Sequence, residues 1–249
     1  MLRKRLIAVL TLNDGVLFRT KLFRPDYRYT LNFVDAWSID EIVVLDVTRS
    51  GEGDRANFDR VVRDFAKRCF VPLAAGGGVR SIEDVDRLLN IGADKIVINS
   101  GAIAQPTLIT EIARRYGSQC VVVSIDAKPD GDGGYRVFAD FGNRNTELEV
   151  EAWARRAQDC GAGEILVTAI ERDGWLQGYD MELVARVVGT VSVPVLALGG
   201  CGNWQHAVEL FKSTDAAGAC TQNIYHFTEA AIRSAKSYLR GAGIDVRSS

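Results

Sequence analysis

The stretch Val71-Pro72-Leu73-Ala74-Ala75-Gly76-Gly77-Gly78 returns 122 residues later as Val193-Pro194-Val195-Leu196-Ala197-Leu198-Gly199-Gly200. Each copy is a short apolar run that ends in glycines. Each is followed by a helical pattern and then by a similar step, Gly92-Ala93-Asp94 in the first and Thr214-Asp215-Ala216 in the second. A repeat at half the length of a 249-residue chain indicates two similar halves, about 1–118 and 119–249, in one domain spanning 1–249. Working outward from the pair, apolar and β-branched runs recur at roughly 30-residue spacing: Leu6–Leu12, Glu41–Val47, Cys69–Ala74, Lys95–Asn99, Gln119–Asp126, Glu164–Thr168, Val193–Leu198 and Asp215–Cys220. They are continuous rather than alternating, as strands covered on both faces are. Helical patterns lie between them: Thr30–Ser38, Asp54–Lys67, Ser81–Leu89, Pro106–Arg115, Thr146–Asp159, Asp180–Val188, Trp204–Lys212 and Thr228–Leu239. Ser81 followed by Asp84 is an acidic variant of a capping box, and Pro106 stands in a first turn. Eight such units predict a closed (β/α)8 barrel of the α/β class, with an open doubly wound sheet as the alternative.

Composition narrows the function classes. Thirty Lys+Arg against 32 Asp+Glu give a net charge of −2, which argues against a basic nucleic-acid binder. No run of about 18 apolar residues exists, so no membrane partner is expected. The apolar stretch after Arg5 is too short for a signal-peptide core, and a cytoplasmic location is expected. The five cysteines (Cys69, Cys120, Cys160, Cys201, Cys220) are widely spaced and form no CxxC pair, which fits neither a disulfide framework nor a zinc site. With His206 and His226 the only histidines, a metal centre is not expected, nor is a cofactor.

In this fold the loops after the strands carry the site. Gly76-Gly77-Gly78 and Gly199-Gly200 fall there. Such loops let backbone N–H groups approach an anion, and a symmetric pair suggests a ligand with two phosphates, or one phosphate and another anion. Tight turns into helices are the alternative. Asp46 and Asp126 end apolar runs, and Asp173-Gly174 lies after the sixth. A carboxylate at a barrel mouth can act as acid or base if burial tunes it; a helix cap or a salt bridge to Lys128 is the plainer role for Asp126. Asn99 and Ser100 after the fourth run, with Gly101 beside them, and Thr168 after the sixth could offer hydrogen bonds to a ligand. At the opposite strand ends stand Arg5, Glu41, Lys95 and Glu164, a neutral set that would ordinarily be a solvated rim.

These residues sit in longer strings. They include Lys4-Arg5-Leu6-Ile7-Ala8, Asp40-Glu41-Ile42-Val43-Val44-Leu45-Asp46, Ala75-Gly76-Gly77-Gly78-Val79-Arg80-Ser81 and Gly92-Ala93-Asp94-Lys95-Ile96-Val97-Ile98-Asn99-Ser100. Further strings are Ser124-Ile125-Asp126-Ala127-Lys128, Gly161-Ala162-Gly163-Glu164-Ile165-Leu166, Arg172-Asp173-Gly174, Gly178-Tyr179-Asp180 and Tyr225-His226-Phe227. Over nearly the whole chain the sequence resembles the cyclase subunit family of imidazole glycerol phosphate synthase, the HisF family. The resemblance implies a (β/α)8 barrel that receives ammonia from a separate glutaminase docked on its bottom face. It implies that Arg5, Glu41, Lys95 and Glu164 form the ammonia gate, and that Asp94 lies at the glutaminase interface.

The family's cyclase uses two aspartates, and the chain keeps one. Asp126 matches the second; Thr11 stands at the first, and a hydroxyl cannot replace a carboxylate in paired acid–base work. Arg19 replaces a loop lysine, Leu198 a serine, and Gln222-Asn223 a smaller pair, while Trp175 brings a large ring into the loop after the sixth run. The short first loop, Leu17 to Tyr29, and Arg55-Ala56-Asn57-Phe58 are similar to a divergent branch associated with amidation of surface-polysaccharide sugars. The leading expectation is therefore a barrel that pairs with a glutaminase and passes ammonia to such an amidation, with a sugar amidotransferase as a further partner. The alternatives are the cyclase/lyase of histidine biosynthesis and a non-catalytic scaffold that activates the glutaminase.

Overall fold

The computed structural model describes residues 3–21, 24–26, 39–49, 55–68, 70–222 and 229–247. Eight parallel strands form the barrel: β1 (Arg5–Asn13), β4 (Glu41–Asp46), β5 (Leu73–Gly76), β6 (Lys95–Ile98), β7 (Val121–Pro129), β10 (Glu164–Ala169), β11 (Val195–Leu198) and β12 (Gly218–Thr221). Neighbours pair in that order, β12 closes on β1, and β7 pairs with β10, so the sheet is a closed (β/α)8 ring. Four further strands lie outside it: β2 (Val16–Lys21), β3 (Arg24–Asp26), β8 (Tyr135–Ala139) and β9 (Arg144–Glu149). The helices are α1 (Ala56–Arg68), α2 (Ile82–Asn90), α3 (Ser100–Ala104), α4 (Thr107–Tyr116), α5 (Val150–Asp159), α6 (Met181–Thr190), α7 (Trp204–Ser213) and α8 (Glu229–Gly241).

The apolar runs are continuous because each strand buries both faces, in two separate clusters. Along β1, Leu6, Ala8, Leu10 and Leu12 pack outward against the helices, whereas Ile7 and Val9 pack inward with Val43, Ala74, Val97, Val122, Leu166 and Leu196. Side chains alternate with period two, so the inward column of β1 reads Arg5, Ile7, Val9, Thr11: charge at the bottom, hydrocarbon in the middle, a polar group at the mouth. The same parity orders Glu41-Val43-Leu45, Lys95-Val97-Asn99 and Glu164-Leu166-Thr168. Helix starts follow their caps. Ser81 Oγ accepts from the Asp84 N–H, Asp180 from Leu183 and Asn203 from His206. The acidic arm of the Ser81 box differs from the reciprocal pattern, because Asp84 Oδ2 accepts from the Arg80 N–H.

Several boundaries differ from those expected. The helix expected over Thr146–Asp159 begins at Val150, because Arg144–Glu149 is recruited as a strand against β8; the Thr146 hydroxyl donates to the Val137 carbonyl there. The strand expected over Gln119–Asp126 starts at Val121 and runs on to Pro129, since β8 pairs with its end. Asp126 is thus inside a strand rather than at its tip. Pro194 has no N–H to give a ladder, and β11 starts one residue after it. The short loop from Leu17 holds strand pairing between β1, β2 and β3 in its described part. The helix expected over Thr30–Ser38, together with Asp54, Cys69, Asn223, Thr228, the Tyr225-His226-Phe227 string and the side chain of Arg19, lies outside what the structure describes.

Candidate active site at the barrel mouth

The inward column tops converge on a cavity of about 200 Å³ at the C-terminal ends of the strands. Thr11, Leu45, Val97, Asn99, Ser124, Asp126, Thr168 and Leu198 form its floor, and Gly77, Gly78, Ser100, Gly101, Arg49 and Arg80 one side. Thr168 stands beside Asp126 in the register of β10 on β7. Asn99 Nδ2 donates to Asp126 Oδ2 at 2.7 Å. Asn99 Oδ1 is buried without a hydrogen-bond partner among the described residues. Burial raises the Asp126 carboxyl from its ordinary 3.8 to about 7, against hydrogen bonds from Thr168, Asn99 and Ser124 that lower it, while the nearby Asp173 carboxylate raises it. A carboxyl that titrates near neutrality can both accept and return a proton. The plainer role considered for it, a salt bridge to Lys128, is not what Lys128 does: its ammonium donates to the Gly142 carbonyl and lies 4.5 Å from the centre of the Phe138 ring.

Thr11 is 5% exposed and lines the same cavity, so the site holds one inward carboxylate where the family pattern has two. Asp46 also lines it, with Oδ1 accepting from the Thr48 N–H at 3.1 Å. The backbone of the first glycine loop requires glycine: Gly77 has φ +108°, and a Cβ there would collide with the Asp46 carbonyl oxygen. Arg55 braces this loop from outside, its Nη2 donating to the Gly78 carbonyl at 3.1 Å. Gly76 is buried in β5 and belongs to the barrel wall rather than the cavity lining. The second loop opens elsewhere. Asp173, Gly174, Gly199 and Gly200 line a cleft of about 10 Å³, together with Leu198 and Gln222, and Trp175 is 43% exposed in the loop beside it.

Sequence reading missed part of the mouth. Ser124 was within reach, since it shares the inward parity of Asp126 two residues on. Asp140 and Phe141 were not, because they belong to the turn between β8 and β9, a hairpin hidden inside an expected loop and helix. The Asp140 N–H donates to Ser100 Oγ at 3.1 Å, and Phe141 lies under the Arg49 guanidinium, 5.2 Å away.

At the other end the four charges expected at the strand starts form one closed ring. Arg5 Nη1 lies 2.8 Å from both Glu41 Oε2 and Glu164 Oε1. Lys95 Nζ lies 2.9 Å from Glu41 Oε1 and from Glu164 Oε2. Burial alone would lower the Arg5 pKa, but the Glu164 and Glu41 carboxylates outweigh it and hold the guanidinium charged. This is no solvated rim: the side chains are 2–16% exposed, and the ring opens upward onto the apolar column. Asp94 stands beside it on the exposed bottom surface, its Oδ2 accepting from the Leu73 N–H at 2.8 Å.

Among the described residues no cluster of three His, Cys, Asp or Glu could hold a metal, and no helix is long and apolar enough to cross a membrane.

Comparison with known proteins gives the barrel its relatives. Three similar proteins are imidazole glycerol phosphate synthase subunits HisF. That of Streptococcus mutans is 38% identical and that of Bacillus cereus 40%, each over 99% of this chain and 100% of the relative. The Methanopyrus kandleri protein is 39% identical over 99% of this chain and 98% of its own. A family model described as histidine biosynthesis protein matches residues 8–231, and the chain, with its closed barrel and full-length HisF relatives, belongs to that family.

Proposed function

We propose that this chain is the ammonia-conducting barrel of a glutaminase-coupled pair, and that it supplies nitrogen for amidation of a polysaccharide sugar. The glutaminase docks at the bottom face around Asp94. Ammonia passes the Arg5–Glu41–Lys95–Glu164 ring and travels along Ile7, Val9, Val97 and Leu166, an apolar column that offers a neutral molecule no competing hydrogen bonds. It arrives at the cavity containing Asp126, a carboxyl near neutrality that can exchange a proton with ammonium or ammonia there before the nitrogen passes on to the amidation. The Gly77–Gly78 and Ser100–Gly101 side holds the phosphorylated ligand. The observation that carries this reading is the combination of a complete buried ring at one end with Asp126 as the one carboxylate on the inward strand columns at the other, Thr11 standing where paired acid–base chemistry needs a second and the lining carboxylates Asp46 and Asp140 bonding to Thr48 and Arg144 instead.

A second reading is the histidine-pathway reaction itself, the cyclase/lyase step. The names of the relatives favour it, and so does Asp126 poised near neutrality. Under it, another group replaces the acid missing at Thr11. One assay separates the two: turnover of the imidazole glycerol phosphate synthase substrate by the purified chain with saturating ammonium, alongside rescue of a histidine auxotroph lacking the cyclase. The leading reading expects background turnover and no rescue; turnover at an enzymatic rate would overturn it.

A further inference from the structure

The two glycine-ended loops open on spaces of very unequal size. The cavity beside Gly77–Gly78 measures about 200 Å³, whereas the cleft beside Gly199–Gly200 measures about 10 Å³, room for about one water molecule. Leu198 and Gln222 line both, so the two spaces meet at these side chains. Leu198 is 7% exposed and packs at the top of the interior column with Leu196 and Cys220, which fixes it in place. The cations that line the two spaces differ as well. Arg49 and Arg80 line the large cavity together with Asp46, Asp126 and Asp140, while the described lining of the small cleft includes Asp173 and no Lys or Arg, the nearest cation being Arg172, whose Cβ stands beside Gly200.

We propose that Leu198, with Gln222, is a specificity-determining partition: the mouth takes a ligand bearing one phosphate, seated at Gly77–Gly78 and Ser100–Gly101, and disfavours a ligand whose second phosphate must reach Gly199–Gly200. A phosphate pressed on the Leu198 side chain loses water and gains no donor in exchange. On the other side of the partition it meets a carboxylate and a space too small to hold it. The ligand's other end is then left over Asp126 and Asn99, where the chemistry lies. This inference rests on the large cavity being the ligand site of the proposed function.

The test is calorimetric titration of the full chain with ribose 5-phosphate and with ribulose 1,5-bisphosphate. The unaltered protein is expected to bind the monophosphate at least as tightly as the bisphosphate. Leu198→Ser opens the partition and adds a hydroxyl; it should tighten bisphosphate binding by about tenfold and leave ribose 5-phosphate within about threefold. Gln222→Ala, at a partly exposed position, gives the same readout without touching the core, and thermal melts confirm that both variants fold. Tighter binding of the bisphosphate by the unaltered protein, no gain in either folded variant, or no binding of either sugar phosphate would overturn the partition. Binding is read without glutaminase, ammonia or product. Its failure therefore leaves the nitrogen-supply reading to the turnover assay, and the reverse holds too.

Discussion

Replacing Asp126 with asparagine should make the protein more stable, and the gain should depend on pH. The folded state raises this carboxyl from 3.8 to about 7, chiefly by burial. Folding therefore favours the protonated form. The stability it contributes is fully present below about pH 4 and is lost as pH rises through about 7. A shift of about three units corresponds to about 4 kcal/mol at most. The carboxyl borders a cavity that water can enter, and screening there cuts the figure to about 2 kcal/mol. For a chain of this size that is about 4–8 °C in Tm. Asp126→Asn is neutral at every pH and keeps the shape. It should melt about 4–8 °C above wild type near pH 8, with the difference shrinking to nothing near pH 4. Melts followed by circular dichroism in steps from about pH 4 to about pH 8 supply the measurement. A variant that melts below wild type near pH 8, or a difference that does not change with pH, would refute the reasoning and mean that the folded protein does not disfavour the ionised carboxylate.

Three other perturbations have defined outcomes. Lys95→Ala leaves Glu41 and Glu164 sharing Arg5 alone; it should cost about 3 kcal/mol in urea unfolding. Under the proposed function it also lowers glutamine-dependent product while product from added ammonium salt persists. Gly77→Ala forces a side chain onto a left-handed backbone and into the Asp46 carbonyl, and should lower stability by at least about 2 kcal/mol and abolish the heat of sugar-phosphate binding. Thr11→Asp adds a second carboxylate to the inward columns and should raise turnover of the imidazole glycerol phosphate synthase substrate by about 10–100-fold; no change would show that the threonine is not what limits it.

How far the sequence could be read follows from what each signal measures. Apolar runs that bury both faces are long and regular, so eight barrel strands could be placed within a few residues. Parity within a run carries further: once Arg5 faces inward, Thr11 must as well, and the same step takes Lys95 to Asn99 and Glu164 to Thr168. The β8–β9 hairpin escaped because its strands are half exposed and its partner is the overhanging end of β7, a tertiary contact with no local signature. Arg144 to Glu149 is polar and buries no residue fully, so it lacks the apolar alternation of a strand, and the positive φ of Glu147 (+63°) is an irregularity that no local pattern announces. The same gap hid Asp140 and Phe141. The separation of the two glycine loops was equally illegible: the repeat announces two similar loops, but the space between them is set by side-chain volume at Leu198 and Gln222.

The ring at the barrel bottom also bears on assembly of the chain itself. Arg5, Glu41 and Lys95 all come from the first half, and on their own they carry a surplus positive charge. Glu164 is the single contribution of the second half, and it touches both cations. Electroneutrality at that point is reached only when β10 has come alongside β7 and the sheet has closed. A half-barrel produced alone, or a barrel closed in a shifted register, would keep an unbalanced cation among strand ends that are otherwise dry. The four side chains thus act as a checksum on closure, satisfied by one arrangement of the two halves. A circularly permuted chain still passes it; two halves kept apart do not.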